Sequence, residues 1–393
     1  MKIPCSGAVY DNEEISNIQD AALQFYNVEG KYTDEFAKGL CDFFNMKYCV
    51  LCNSGSSANL LAISALMLPK DIEVITTACG FPTTLNPVIQ SQLLPVFIDI
   101  RRDTLTMDAN QIEKTITEET RALLLSHTLG NPADMYEIMR LAMRYELFVI
   151  EDNCDSLGSK YDGRLTGTFG DAATLSFYPA HHITTGEGGA ALTNYDWLYR
   201  RMLSLRNWGR DCLCRTGQDN ACGKRFNQQF GKMPFGYDHK YIYTTIGYNL
   251  KMTNLQAAAG VAQLKKLPSF IEGRRKNYAL LHNGLSKYQD YFDFVQENGE
   301  ASWFGFPLIC KGKTRREEIV NFLESKGIAT RPLFGGNLTK QPAYRDIPAK
   351  IGDLTNTDCI MDNLFWIGVW PGLGEKEINY IIEQFGGFIK CCV

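Results

Sequence analysis

The chain has 393 residues, enough for two or three structural domains or one large domain carrying a smaller one, and its 45% apolar content can bury a sizeable core. A net charge of −4 gives no electrostatic case for nucleic acid or an anionic membrane surface, and no apolar stretch is long enough to read as a membrane span. The stretch MKIPCSGAVYDNEE lacks the apolar core of a signal, and 13 cysteines in a chain this long argue against a disulfide scaffold, so a cytoplasmic protein with metal-binding or core cysteines is expected.

From about residue 47, short apolar strands alternate with helical patterns. YCVLCNS predicts a strand and NLLAISALM a helix, joined by Asn53-Ser54-Gly55-Ser56-Ser57-Ala58. A Gly/Ser turn there aims backbone N–H groups and hydroxyls at an anion, although small polar residues before a helix are more often plain caps. EVITTAC and PVFIDI are further strands, and Phe81 in GFPTT, just after the first of them, can stack on a flat ring or simply pack in the core. RALLLSH is a strand, DMYEIMRLAMRYE has apolar residues at helical spacing, and LFVIEDN is a strand ending on Glu151-Asp152. A carboxylate at that end is a cap, a solvated loop residue, or a partner for a heterocycle. Next come SFYPAHHITTGEGGA, with Ser176, His181 and His182, and the loop RDCLCRTGQDNACGKRF, where Cys212, Cys214 and Cys222 are spaced C-x-C-x7-C. Thr253 predicts the N-cap of a helix over NLQAAAGVAQLKKL, after which WFGFPLIC (strand), TRREEIVNFLESKG (helix) and IATRPL (strand) suggest a smaller α/β unit. Cys41, Cys49, Cys79 and Cys310 lie in apolar segments and read as core thiols. The alternation as a whole predicts an α/β fold with a mostly parallel sheet, whose site lies beyond the carboxyl ends of the strands.

Taken together, SGSSANLLA, GFPTTLNP, SHTLGNP, TFGDAATLSFYPAHHITTGEGGA, NWGRDC, PFGYDHKYIY, GYNLKMTNLQAA and WIGVWPGL carry a resemblance over nearly the whole chain. It resembles the DegT/StrS-type sugar-modifying enzymes of the aspartate-aminotransferase-like fold type I, which bind pyridoxal or pyridoxamine phosphate. It is most similar to the iron–sulfur 3-dehydratases of 3,6-dideoxyhexose biosynthesis. The resemblance implies a mostly parallel seven-stranded sheet flanked by helices in residues 1–265, with the loop 210–226 included, and a smaller C-terminal α/β domain in 266–393. It implies a cofactor phosphate bound by Gly55, Ser56 and Ser176, a pyridinium nitrogen paired with Asp152, and Phe81 covering the ring. Asp155 joins the cofactor-binding residues, and Asn249 reaches the phosphate of the neighbouring subunit of a homodimer. Arg331 is read equally as a sugar-diphosphate contact and as a surface arginine at a strand end.

His181 takes the position where related enzymes hold the cofactor through a lysine. A histidine, with an ordinary pKa near ~6.5, suits proton removal near neutrality and cannot hold the aldehyde, so non-covalent pyridoxamine phosphate acting on a nucleotide-linked 4-keto sugar is implied. His182 reads as the structural member of the pair. Loss of the C3 hydroxyl then calls for two electrons. Cys154 with the three loop cysteines gives C-x57-C-x-C-x7-C, the spacing of the iron–sulfur dehydratases, which implies a [2Fe–2S] cluster. Four thiolates suit structural zinc equally well, and the place of Cys154 beside Asp152 favours iron. No G-x-G-x-x-G fingerprint follows a strand, so electrons are expected from a separate NAD(P)H-dependent flavin or iron–sulfur reductase. The competing readings are a cluster-free dehydratase that regenerates its cofactor with glutamate, and a non-enzymatic cofactor-binding regulator or scaffold.

Overall fold

The computed structural model describes residues 1–24, 28–215 and 218–392, with the backbone alone at 391 and 392. Runs such as Leu123-Leu124-Leu125 and Val149-Ile150 are apolar at consecutive positions and buried on both faces, as parallel strands covered by helices must be. Leu94–Ile98, Glu73–Thr77, Thr120–Ser126, Phe148–Asp152 and Ala172–Ser176 pair in parallel in that order. Gly189–Thr193 follows, antiparallel both to Ala172–Ser176 and to Tyr48–Cys52 at one edge. Lys350–Ile351 adds a short parallel strand at the other edge, so the sheet has eight strands where seven were expected. The extra strand comes from the C-terminal part of the chain, beyond the alternating pattern that predicted the rest.

Thr253 caps its helix as expected, with Gln256 completing the reciprocal box, but the helix runs from Asn254 to Leu285. The division at 265/266 therefore falls inside a continuous helix. Beyond it, Phe292–Phe294, Gly305–Cys310 and Leu364–Gly368 form an antiparallel three-stranded sheet covered by the helices Arg316–Ser325 and Glu375–Cys392. The first residues belong with this second core: Ile3 and Cys5 pack in it, and Ile3 bonds to Gly327 O and Ala329 N at 2.7 and 2.9 Å. IATRPL is not a regular strand. It makes single bridges, Ile328 to Ile3 and Arg331 to Trp366, and Pro332, lacking an N–H, cannot extend the ladder. Among the described residues no helix is long and apolar enough to cross a membrane.

Candidate active site

The parallel strands end at a cavity of about 640 Å³. Gly55, Ser56, Phe81, Asp152, Asp155, Ser176 and His181 line it, and so do Arg331 and Cys154, the latter read from the sequence as a ligand together with the loop cysteines. Its anion end is the start of the helix Gly55–Ala65, where Ser54 caps Ser57 N at 3.1 Å. A Cβ on Gly55 would stand 2.5 Å from the Cβ of Ser176, so only glycine lets the helix terminus meet the end of the Ala172–Ser176 strand. Free amides at a helix N-terminus beside the Ser176 and Ser56 hydroxyls form a site for a phosphate.

Asp152 is held by three donors. Asn59 Nδ2 and Thr84 Oγ1 reach its Oδ2 at 2.8 and 2.6 Å, and Cys154 N reaches Oδ1 at 3.2 Å. Thr174 in turn donates to Asn59 Oδ1 at 2.6 Å. Sequence reasoning missed Asn59, Thr84 and Thr174. The available signal was Asn59 itself, a poor helix former one turn into a helix. Phe81 remains 53% exposed and meets Phe334 edge-on at 6.0 Å, so its face is free to cover a ring.

His181 and Asp155 are both enclosed, with Nδ1 3.7 Å from Asp155 Oδ1. Among the described residues Nδ1 has no hydrogen-bond partner, and Arg274 Nη2 fixes the backbone by donating to His181 O at 3.1 Å. Burial pushes His181 down to about 4 and, together with the Asp152 charge, pushes Asp155 up to about 8, so both are uncharged at neutral pH. His182 points elsewhere, its Nε2–H donating to Ser302 O at 2.8 Å, which is the structural role expected of it. Burial followed by the Asp152 carboxylate holds the Cys154 thiol well above its ordinary range.

The Asp155 shift fixes a stability prediction. The unfolded carboxyl loses its proton near pH 4 while the folded one keeps it to about 8, so folding loses stability as pH rises between those values. Asp155→Asn removes that loss. The variant should gain about 3–4 kcal/mol relative to the parent between pH 5 and pH 8, read from urea midpoints of the cofactor-free chains. A constant difference across that range would refute the assignment.

Asn249 does not line this cavity; its Oδ1 accepts from Lys251 Nζ at 2.8 Å. Arg331 does, with Nη1 donating to Thr330 O at 2.7 Å. The cysteines divide between two places. Cys154 lines the cofactor cavity, whereas Cys212, Cys214 and Cys222 share a separate, much smaller one. Among the described residues no three His, Cys, Asp or Glu side chains stand close enough to hold an ion. The four-thiolate cluster expected from the spacing therefore does not fit this arrangement, because Cys154 sits under the phosphate turn, away from the loop cavity. Residues 216 and 217 of that loop lie outside the described residues. Of the core thiols, Cys79 and Cys310 are buried as expected, and Cys41 and Cys49 are half-buried.

Residues 9–386 match the model of the DegT/DnrJ/EryC1/StrS aminotransferase family. The chain is 46% identical to the lipopolysaccharide biosynthesis protein RfbH of Salmonella typhimurium, over 98% of this chain and 91% of that protein. It is 47% identical to the dTDP-4-dehydro-2,6-dideoxy-D-glucose 3-dehydratase of Saccharopolyspora spinosa, over 98% and 86%. The structure of the E. coli GDP-4-keto-6-deoxy-D-mannose-3-dehydratase with bound hydrated PLP superposes with a TM-score of 0.88 at 30% identity, covering 98% of this chain and 99% of that one.

Proposed function

The chain belongs to the DegT/DnrJ/EryC1/StrS aminotransferase family, and from that premise we propose that it is a pyridoxamine-phosphate-dependent nucleotide-sugar 3-dehydratase. One observation carries the reading: no lysine lines the cofactor cavity among the described residues, and His181 is the histidine that does. Relatives named as 3-dehydratases, one with a solved structure holding PLP, support it.

Pyridoxamine phosphate, when bound, supplies an amine for the 4-keto carbon and a ring that delocalises electrons. Gly55, Ser56 and Ser176 would hold its phosphate and Phe81 would cover its ring. Asp152, fixed by Asn59 and Thr84, would face the ring nitrogen. His181 is uncharged at neutral pH and lines the cavity, so its imidazole would take up a proton there. Arg331 supplies a fixed positive charge for a sugar-linked phosphate.

The finer reading follows the resemblance to CDP-6-deoxy-L-threo-D-glycero-4-hexulose-3-dehydrase. It adds a CDP-linked 4-keto-6-deoxyhexose substrate, a [2Fe–2S] centre on the cysteine loop, and an NAD(P)H-dependent flavin or iron–sulfur reductase as partner. It also adds a cytoplasmic homodimer in which Asn249 reaches the phosphate of the partner subunit's cofactor. The loop supports the cluster through three free cysteines that line one small cavity. The absence of a converged ligand set among the described residues favours the second reading, a cluster-free enzyme that recovers pyridoxamine phosphate from glutamate.

The two readings share a product and differ in electron source. Incubated with pyridoxamine phosphate, a nucleotide-linked 4-keto-6-deoxyhexose and a source of the two electrons, either NAD(P)H with a reductase or glutamate, the chain should release a sugar lighter by one oxygen, seen by mass spectrometry. An aminated sugar would defeat the dehydratase reading altogether. Consumption of NAD(P)H through an added reductase, with two irons and two sulfides per chain after anaerobic purification (about the stoichiometry of a [2Fe–2S] centre), supports the cluster. Turnover on glutamate by metal-free protein selects the alternative.

A further inference from the structure

Two kinds of surface line the cofactor cavity. The strand ends and the phosphate turn supply hydroxyls, carboxyls and amides, whereas the second core supplies Cys5, Phe304, Phe334 and Trp366. The three rings pack on one another with centres 5.4 to 6.4 Å apart, and Phe304 lies 5.2 Å from His181. Phe304 and Trp366 are buried, and the half-buried Phe334 meets Phe81 edge-on. The hydrogen-bonding groups of this wall are already engaged. Trp366 Nε1–H donates to Pro332 O at 3.0 Å, and the Cys5 thiol donates to Ala329 O at 2.9 Å. Arg331 and Trp366 bond through their backbones in both directions, at 3.0 and 2.8 Å. A hydroxyl placed against these rings loses its water and finds no partner in them, while a methyl group loses nothing.

Phe334 is also held in a conformation that bulky residues avoid. Its φ is +48°, in the left-handed region, and its N–H donates to Pro332 O at 2.8 Å. Such a residue persists only where its surroundings impose the conformation, and such positions gather at ligand sites. Here Gly335 N donates to Gly80 O at 3.1 Å and Leu338 N to Ala78 O at 2.9 Å. These bonds tie the turn to the segment that carries Phe81, so the ring is fixed from both sides of the cavity.

In a 4-keto-6-deoxyhexose the carbon bearing the methyl group is bonded to the keto carbon, so the methyl stands next to the reacting atom. The contact of Phe304 with His181 puts the aromatic wall at that same point of the cavity. We infer that the wall of Phe304, Phe334 and Trp366 seats this methyl group, and that Phe334 selects 6-deoxy sugars over those with a 6-hydroxyl. The inference rests on the nucleotide-sugar reading above and names the part of the sugar that is recognised. A nucleobase also stacks on aromatic rings, but the rest of the sugar and a diphosphate separate it from the reacting carbon.

The test is calorimetry with sugars that cannot react because a hydroxyl replaces the 4-keto group. 6-Deoxy-D-glucose and D-glucose, each linked to CDP and to dTDP, are titrated into the full chain loaded with pyridoxamine phosphate. CDP and dTDP alone serve as controls. The parent should bind the 6-deoxy sugar about 10–100-fold more tightly than its 6-hydroxy counterpart, the range that one such group commands in an apolar pocket. Phe334→Gly and Phe334→Asn both accept a positive φ and so keep the turn. In the glycine variant the two sugars should bind within about threefold of each other, with the affinity for CDP and dTDP unchanged. The asparagine variant, which offers the 6-hydroxyl an amide, should favour the 6-hydroxy sugar. Equal binding of the two sugars by the parent, or the parent's ratio retained in both variants, overturns the assignment. Weaker binding of the nucleotides alone by Phe334→Gly would place the base on the wall and overturn it as well. A parent that binds neither the nucleotides nor their sugars defeats the nucleotide-sugar reading itself.

Discussion

His181→Ala is expected to lower turnover by about 10²–10⁴-fold, the range a positioned acid–base group contributes, while the chain still folds and takes up its cofactor. Burial holds His181 near 4, so it is fully in the basic form at neutral pH, and it lines the cavity. Arg274 holds its backbone from below and Phe304 sits 5.2 Å away, so the ring is placed by groups that the substitution leaves intact. The Michaelis constant for the sugar should change little, because the phosphate turn and Arg331 are on other elements. His181→Lys should be equally inactive as a dehydratase, and borohydride should then fix the cofactor to the chain, visible in the intact mass. Turnover within threefold of the parent in the alanine variant would show that another group moves the proton.

The fold could be read from the residues because local rules set it, and periodicity marked the buried strands. The site residues came together only through the resemblance, since the Gly/Ser turn, Phe81 and Asp152 each had a plain structural reading taken singly. What could not be read was long-range. The eighth strand is two residues, Lys350–Ile351, too short for any period to register. Ile3 and Cys5 joining the second core depends on a bridge across more than three hundred residues. Asn59, Thr84 and Thr174 were invisible as a group because only the folded chain links them, Asn59 and Thr84 through the Asp152 carboxylate and Thr174 through Asn59. The cysteine spacing was read as one set of four, yet spacing carries no direction, and the structure points Cys154 into the cofactor cavity and the other three into their own.

The pair Glu151-Asp152 shows how strand geometry divides two similar residues, and Glu151 carries the largest stability prediction. Successive side chains on a strand point to opposite faces, so when Asp152 enters the cofactor cavity Glu151 must turn away from it. It is fully buried there and accepts from Gly167 N, Phe169 N and Gly170 N at 2.7, 2.8 and 2.7 Å. His127 adds a fourth bond: its Nδ1 accepts from Ala133 N at 3.0 Å, so the proton on Nε2 is directed at Glu151 Oε2, 3.1 Å away. Glu151→Ala would strand three backbone donors, one of them fully buried, and a buried histidine. At ~1–3 kcal/mol for each orphaned group, the summed loss is on the order of 4 kcal/mol or more, a large part of the roughly 5–15 kcal/mol that holds a domain together. Glu151→Gln keeps one acceptor oxygen and the side-chain volume, so it should lose about half as much. The loop it anchors packs against Asn153 through Gly167, next to Cys154 and Asp155, so cofactor affinity should fall alongside stability. Urea unfolding of the three chains, with cofactor titrations on each, gives both quantities. A midpoint for Glu151→Ala equal to the parent's would mean that the 167–170 loop satisfies its amides some other way.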